Sequence, residues 1–179
     1  VTTVNGIDFV VSVESGKEPG ILQLADPQLM DSATMRTPDR LSTSAAAYWT
    51  FEDETSFVGG KGKNTLCYNF ITEIINDTKA ANGGYLDLIL VSGDVVYGSF
   101  DDDGHMLVDF VAFMESFGIP WAPIMGNHDV ESEMGADWMC EQYENAPNCM
   151  FKQGEVEGNG NFTIGIKQGN KLKRVFFNM

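Results

Sequence analysis

The chain has 179 residues, a length that suits one domain of moderate size or most of a larger one. It carries 11 lysines and arginines against 26 aspartates and glutamates, a formal net charge of -15, so its overall field repels nucleic acid, anionic membranes and phosphorylated ligands. An anionic substrate therefore requires strong local positive charge, and bound metal cations are one way to supply it.

Targeting and redox signals in the chain are weak. No apolar run approaches the roughly 18 residues of a membrane span, no signal peptide opens the sequence, and the first residue is Val1 rather than Met. Cys140 and Cys149 bracket a short loop that a disulfide would close in an oxidising compartment, and two unpaired thiols are the alternative. The acidic composition, this cysteine pair and the non-Met start favour an extracytoplasmic location over a cytoplasmic one.

The first part of the chain predicts two strands followed by a long loop. Residues 6–13 and 20–27 have the pattern of strands, and the second, a compact apolar run that ends in an Asp-Pro pair, is typical of a strand buried on both faces. Residues 31–62 are polar and rich in Ser, Thr, Asp and Gly, with aromatic residues at 48–51. A loop of this length inside a compact domain is usually functional or mobile.

The centre of the chain alternates helices with strands. Apolar residues recur at helical spacing from Asn64 to Ala81, which predicts an amphipathic helix. Residues 85–94 predict a buried strand, 106–118 a second helix, and 119–126 another strand. This order predicts a parallel sheet joined by right-handed crossover helices.

The last part of the chain predicts a third helix and a strand pair. Residues 131–145 have helical character that Gly135 interrupts. Residues 161–179 have the pattern of two strands joined by a turn at 168–170. The final strand reaches Met179 without a stop signal, which favours a domain that continues beyond it.

Polar residues follow three of the predicted buried strands. They are Asp26 and Gln28 after the first, Asp94 after the second, and Asn127, His128 and Asp129 after the third. Each group alone is ordinary turn chemistry. Because the carboxyl ends of parallel strands meet at one edge of a sheet, we expect the three groups to converge. Carboxylate and amide oxygens that meet without basic neighbours are stable when cations lie between them, so the sequence predicts a metal site.

Three segments resemble those of a known family. LADPQ (24–28), LVSGDVVYG (90–98) and IMGNHD (124–129) are similar to the first three sequence blocks of the calcineurin-like metallophosphoesterases, in the same order and with a predicted helix between successive blocks. The resemblance covers roughly residues 20–130. It implies an α/β fold, namely the N-terminal half of a four-layer α/β/β/α sandwich with mostly parallel strands, in a single truncated domain over residues 1–179.

The resemblance also implies roles for individual residues. Asp26 would bind a first metal ion, Asp94 would bridge two metal ions, and Asn127 would bind the second through its amide oxygen. Gln28 stands where most members carry a metal-binding histidine, and its oxygen would ligate a hard cation, although less tightly than imidazole binds zinc or iron. His128 would face the substrate phosphate as general acid or charge stabiliser.

The implied cofactors are two divalent or trivalent ions of Mn, Fe or Zn. Two such ions, about 3.5–4 Å apart, polarise a phosphoryl group and supply hydroxide near neutral pH. The resemblance further implies that Asp129 holds the His128 ring in orientation.

Several positions depart from the family pattern. Tyr97 fits the Gly-Asp-x-x-Tyr block of purple acid phosphatases, in which the tyrosine is a metal ligand, and a tyrosine that packs beside the loop is the alternative. The family completes its two metal sites with later histidine blocks, whereas this chain has only His105 and His128. His105 lies in an acidic loop before a helix and is predicted to be a solvated or helix-capping residue.

The implied function is a metal-dependent phosphomonoesterase or phosphodiesterase acting on a phosphorylated substrate, a hydrolase whose dinuclear centre is incomplete in this chain. A missing C-terminal segment would complete the fold, and the chain alone is expected to be weakly active or inactive. The alternative is a degenerate protein-binding module that uses the loop at 31–62 and has no catalysis. Nucleic acid binding is not expected from the charge.

Overall fold

The computed structural model of the chain describes residues 6–31, 63–155 and 158–178. The predicted loop at 31–62 therefore lies outside the described residues, apart from its first position. The helices and strands, in chain order, are β1 (Phe9–Val13), β2 (Ile21–Leu24), α1 (Lys63–Ala81), β3 (Leu88–Ser92), α2 (His105–Glu115), β4 (Trp121–Ile124), α3 (Gly135–Asn145), β5 (Phe162–Gln168) and β6 (Lys171–Asn178). Short 3₁₀ turns, Gly98–Phe100 and Asp129–Glu131, follow β3 and β4.

The strands β2, β3 and β4 form the predicted parallel sheet, in that spatial order. The central strand β3 is deeply buried, since Leu88 and Ile89 have no exposed surface. Burial on both faces is typical of an all-parallel sheet and explains the continuous apolar run of this strand. The registers pair Leu24 with Val91 and Ser92 with Ile124, so the carboxyl ends of the three strands reach one edge.

The strands β1, β5 and β6 form a second sheet, in which β1 pairs parallel with β5 and β5 pairs antiparallel with β6. At the start of β1, the Asp8 carboxylate accepts the backbone N–H of Thr163 at 2.9 Å and the Nζ of Lys152 at 2.7 Å. The sequence predicted these strands but not their separation from the parallel sheet, because the contacts that group them join distant residues. The fold is of the predicted α/β class.

Helix α1 buries a narrower face than its sequence pattern predicts. Ile71 and Ile75 are 4% and 0% exposed, whereas Leu66 and Phe70 are 66% and 62% exposed. The two pairs are offset by five positions, which is about 140° around a helix, so a sheet that covers one pair leaves the other uncovered. No helix in the described part of the chain has the length and apolarity to cross a membrane.

A series of aromatic side chains joins the two sheets. Trp121 on β4 is fully buried and packs edge-on against Phe110 of α2 and Tyr143 of α3, with ring centroids 6.1 and 5.8 Å away. Tyr143 lies 5.3 Å from Phe151, and Phe151 lies 5.5 Å from Phe162 of β5. Each such pair adds about 0.5–1.5 kcal/mol beyond the burial of its apolar area. One continuous core therefore holds both sheets.

Cys140 and Cys149 are free thiols in the structure. Of the two alternatives, a disulfide or two unpaired thiols, the structure therefore has the second. The Cys140 thiol donates a hydrogen bond to Oε1 of Gln153 at 2.8 Å. Burial raises the pKa of Cys140 to about 11 and raises the pKa of Cys149 well above its ordinary value. Both thiols therefore stay protonated and weakly nucleophilic near neutral pH.

Helix α2 begins over a buried carboxylate. Asp101 has no exposed surface, and its two oxygens accept the backbone N–H groups of Met106 at 3.1 Å and Leu107 at 3.3 Å. The first N–H groups of a helix have no partner within it, so the Asp101 carboxylate supplies hydrogen-bond acceptors for two of them. Burial raises the pKa of Asp101 to about 6, although both hydrogen bonds oppose the shift.

The Asp101 carboxyl predicts a pH-dependent stability. Its pKa is about 6 in the folded chain against an ordinary value of 3.8, so its stabilising contribution is complete below about pH 4 and is lost as the pH rises through about 6. We therefore expect the Asp101→Asn variant to become more stable relative to the unsubstituted chain as the pH rises across this interval. Urea unfolding should show the difference between their free energies of unfolding changing by at most about 1.4 kcal/mol per pH unit. Asp109→Asn, on the exposed face of the same helix, should keep the original profile. Parallel profiles for the Asp101 variant and the unsubstituted chain would contradict the raised pKa.

Candidate active site

Two turns are joined at the carboxyl edge of the parallel sheet. The backbone N–H of Asp26 donates to the Gly93 carbonyl at 3.2 Å, and that of Gln28 donates to the Asp94 carbonyl at 2.9 Å. These hydrogen bonds extend the pairing of β2 and β3 beyond the regular strands. The segment after β2 therefore lies directly beside the segment after β3.

The turn after β4 reaches the same place through Asp94. Its carboxylate oxygen Oδ1 accepts the backbone N–H of His128 at 2.8 Å. The backbone N–H of Gly98 donates in turn to the His128 carbonyl at 2.9 Å. Asp94 is only 8% exposed, so its carboxylate is held beneath the turns that it connects. The structure thus brings together the three polar groups of the sequence.

The backbone is strained at this edge. Asp26, Gln28 and Asp94 have φ values of 52°, 45° and 51°, and they are the non-glycine residues with positive φ in the described segments. The left-handed region costs an ordinary residue about 1–2 kcal/mol, and strain of this kind concentrates at functional sites. All three positions coincide with sequence-predicted metal ligands.

Close approach of two glycines lets the turns after β3 and β4 meet. A Cβ atom on Gly93 would lie 2.9 Å from the Cα and the backbone N of Gly126, and a Cβ on Gly126 would overlap the Asp94 carboxylate. Neither position has room for a side chain. The glycines of the Gly-Asp and Gly-Asn-His-Asp segments are therefore required by packing between the turns.

The four predicted metal ligands differ in exposure. Asp94 is buried, Gln28 is partly buried, and Asp26 and Asn127 are exposed. Together they offer carboxylate and carboxamide oxygens, the donors that hard cations prefer. The chemistry of this donor set fits an oxygen-coordinated metal ion.

Asp129 holds the turn rather than the ring. Its side chain has no exposed surface, and its two oxygens accept the backbone N–H groups of Val96 at 3.0 Å and Gly126 at 2.8 Å. The sequence-based expectation that Asp129 orients the His128 ring is therefore wrong in its contact, because the buried carboxylate is taken up by backbone donors. Burial raises the pKa of Asp129 to about 6, and these hydrogen bonds limit the shift.

The contacts of the His128 ring come from other residues. Nδ1 lies 3.1 Å from Oε2 of Glu131, and the ring stacks on Tyr97 with centroids 4.2 Å apart. Ser99 donates a hydrogen bond to the same Glu131 oxygen at 2.7 Å. Sequence reasoning missed Ser99 and Glu131, although a carboxylate three residues after a histidine has the spacing of a side-chain pair on one helical turn. Tyr97 also packs against Phe100, which agrees with the alternative that Tyr97 packs beside the loop.

His105 belongs to a separate group, at the start of α2. Ligand atoms of Asp101, Asp103 and His105 lie within 4.8 Å of one another, and Nε2 of His105 is 3.5 Å from Asp31. The His105 backbone N–H donates to Asp103 at 3.1 Å, in keeping with the predicted helix-end position. Burial disfavours the charged ring, but the hydrogen bond with Asp103 and the neighbouring carboxylates outweigh it and raise the pKa of His105.

Comparison with known proteins agrees with this geometry. A family model described as calcineurin-like phosphoesterase matches residues 21–177. The chain is 36% identical over 91 residues to the probable inactive purple acid phosphatase 14 of Arabidopsis thaliana, a match that covers 45% of this chain and 22% of the relative. It is 41% identical over 49 residues to the probable inactive purple acid phosphatase 28 of Arabidopsis thaliana, covering 27% and 12% of the two chains. No solved structure gives a significant match.

The family match begins at β2, ends within β6 and contains all three turns of the site. The chain therefore belongs to the calcineurin-like phosphoesterase family, and the resemblance seen in its sequence is confirmed. It spans less than a quarter of the length of the two relatives, since the matches cover 22% and 12% of them.

The close contact between the turns after β3 and β4 predicts that a methyl group added at Gly93 destabilises the fold. Gly93 and Gly84 have similar φ values of +92° and +94°, but a Cβ on Gly84 would meet nothing within 4 Å. Gly84→Ala therefore carries backbone strain alone, and we expect Gly93→Ala to lower the free energy of unfolding by about 1–3 kcal/mol more, as overpacking typically does. Urea unfolding of both variants measures the difference. Equal losses would show that the turns do not depend on this contact.

Proposed function

We propose that the chain forms part of a metal-dependent phosphoester hydrolase, a phosphomonoesterase or phosphodiesterase. The observation that carries the proposal is the backbone strain at Asp26, Gln28 and Asp94, three predicted ligands at the edge where the turns meet. Strain of this kind persists when the surrounding structure enforces it, and it is characteristic of functional sites. Family membership supports a phosphoester as the substrate.

Asp26, Gln28, Asp94 and Asn127 are the residues proposed to hold two divalent or trivalent cations. Their oxygen donors suit Mn or Fe better than Zn, which favours imidazole and thiolate. When bound, such cations polarise a phosphoryl group and lower the pKa of water so that hydroxide is available near neutral pH. They also supply the local positive charge that a phosphate needs on a chain with a net charge of -15.

His128 is proposed to act on the substrate phosphate. Its backbone is held by the Asp94 carboxylate, and its side chain remains 24% exposed. Its Nε2 is the ring nitrogen proposed to donate a proton to the leaving oxygen as the phosphoester bond breaks. Asp129 supports this role indirectly, since its buried carboxylate holds the turn that carries the ring.

The proposed centre is incomplete in the described residues. Four oxygen ligands are too few for two cations, each of which takes about four to six. We propose that residues 1–179 form one domain and that further ligands come from another segment, such as a C-terminal one. On this proposal the chain alone is weakly active or inactive.

A degenerate, non-catalytic protein-binding module is the second candidate function. Gln28 stands where most family members carry a histidine, and two relatives of this chain are described as probable inactive purple acid phosphatases. On this alternative the turns and the sheet edge are kept while metal binding is lost. The loop at 31–62, proposed as its protein contact, lies outside the described residues apart from its first position.

An extracytoplasmic location stays a prediction from the sequence. One of the three observations behind it, a disulfide between Cys140 and Cys149, is absent from the structure, in which both thiols are free. The acidic composition remains as its support.

Metal binding and hydrolysis together test the proposal. We expect calorimetric titration of the chain, and of a longer protein that contains it, to detect Mn²⁺ binding. Asp94→Asn should weaken that binding, because it removes the charged oxygen that the proposal gives to both ions. His128→Ala should keep the metal and lower kcat for glycerol 2-phosphate, whose leaving group needs a proton, by about a hundredfold or more, the usual contribution of general acid catalysis.

Asp77→Asn is the matched control, since it removes an exposed carboxylate on α1, away from the three turns. It should change neither Mn²⁺ affinity nor kcat. Mn²⁺ binding without hydrolysis in the longer protein would favour a non-catalytic role, and absence of both would overturn the hydrolase proposal.

A further inference from the structure

The contacts of the His128 ring form a short series of side chains. Ser99 Oγ donates to Oε2 of Glu131 at 2.7 Å, and the same oxygen lies 3.1 Å from Nδ1 of His128. On one face, Tyr97 stacks on the ring at an interplanar angle of 20°. Ser99 lies in the first 3₁₀ turn and Glu131 in the second. The ring is therefore held from both turns.

We propose that Glu131 is a positioning residue that fixes the tautomer and the direction of the His128 ring, with Ser99 holding its carboxylate. An ionised carboxylate only accepts hydrogen bonds, so Nδ1 must carry the hydrogen that lies between the two groups. Nε2 is then the nitrogen left for the substrate, because the partner of one ring nitrogen determines the state of the other. Stacking on Tyr97 restricts rotation of the ring out of this orientation.

The neighbouring carboxylate does not have this role. Both oxygens of Asp129 accept backbone N–H groups below the turn, whereas Glu131 is partly exposed beside the ring. Burial disfavours charge on Glu131, but hydrogen bonds from His128 and Ser99 outweigh burial and lower its pKa. The residue that contacts the ring is thus ionised near neutral pH.

Ring-nitrogen NMR tests the positioning without metal or turnover. The chain has two histidines, so long-range ¹H–¹⁵N spectra contain two rings, and His105→Asn identifies the His128 signals. At a pH where the ring is neutral, the Nδ1–H tautomer should predominate in the unsubstituted chain and become the minor form in Glu131→Ala. Glu131→Gln keeps an acceptor and should retain the Nδ1–H form.

Glu133→Ala is the matched control, because it removes an exposed carboxylate from the same segment and should leave the tautomer unchanged. The same tautomer in the unsubstituted chain and in Glu131→Ala, with both folded, would overturn the proposal. Ser99→Ala should produce a smaller shift in the same direction, because it releases the Glu131 carboxylate without removing it.

The kinetic consequence rests on the proposed function. In a longer, active protein, Glu131→Ala should lower kcat for glycerol 2-phosphate by about tenfold to a hundredfold, the usual effect of removing a supporting partner, with little change in KM. The loss should be smaller for p-nitrophenyl phosphate, whose leaving group needs no proton, and Glu131→Gln should restore most of the rate. Equal losses on both substrates would contradict positioning for proton transfer. Absence of hydrolysis contradicts the proposed function alone, and the tautomer measurement then decides the positioning proposal.

Discussion

The hydrogen bond from the His128 backbone to the Asp94 carboxylate is the contact on which the site depends. It joins the turn after β4 to the turn after β3, and the backbone pairing of Gln28 with Asp94 adds the turn after β2. The contact is possible because Gly93 and Gly126 leave no Cβ between the two turns. A buried charged acceptor makes such a hydrogen bond stronger than a neutral one, so the three turns have one relative arrangement.

That arrangement requires strained backbone, and the rest of the structure must compensate for it. Three residues in the left-handed region cost together a few kcal/mol, a large part of the roughly 5–15 kcal/mol by which domains are stable. The compensation comes from the aromatic core that links Trp121 to Phe162 and from buried carboxylates that accept backbone N–H groups. Asp101 does this at the start of α2 and Asp129 does it in the turn after β4.

The side-chain oxygens of the site form two groups, which differ in what they contact. The buried oxygens of Asp129 and one oxygen of Asp94 are used to hold backbone, and this use is the same in a catalytic and a non-catalytic protein. Within the described residues, the side-chain oxygens of Asp26, Gln28 and Asn127 do not hold backbone N–H groups in this way. An active hydrolase and a degenerate relative would therefore differ in how these three side chains are arranged, because cation binding is what requires their oxygens to lie together.

The strands, the helices and the three polar turns could be predicted from the sequence, because they depend on local patterns of apolar residues and turn chemistry. Which residues contact one another could be seen only in the tertiary structure. The pairing of β1 with β5, the exposure of Phe70 and the contacts of Asp129 all depend on packing between distant segments. The assignment of Glu131 to the His128 ring has the same cause: two carboxylates follow the histidine within three residues, and only burial decides that the nearer one turns towards backbone N–H groups.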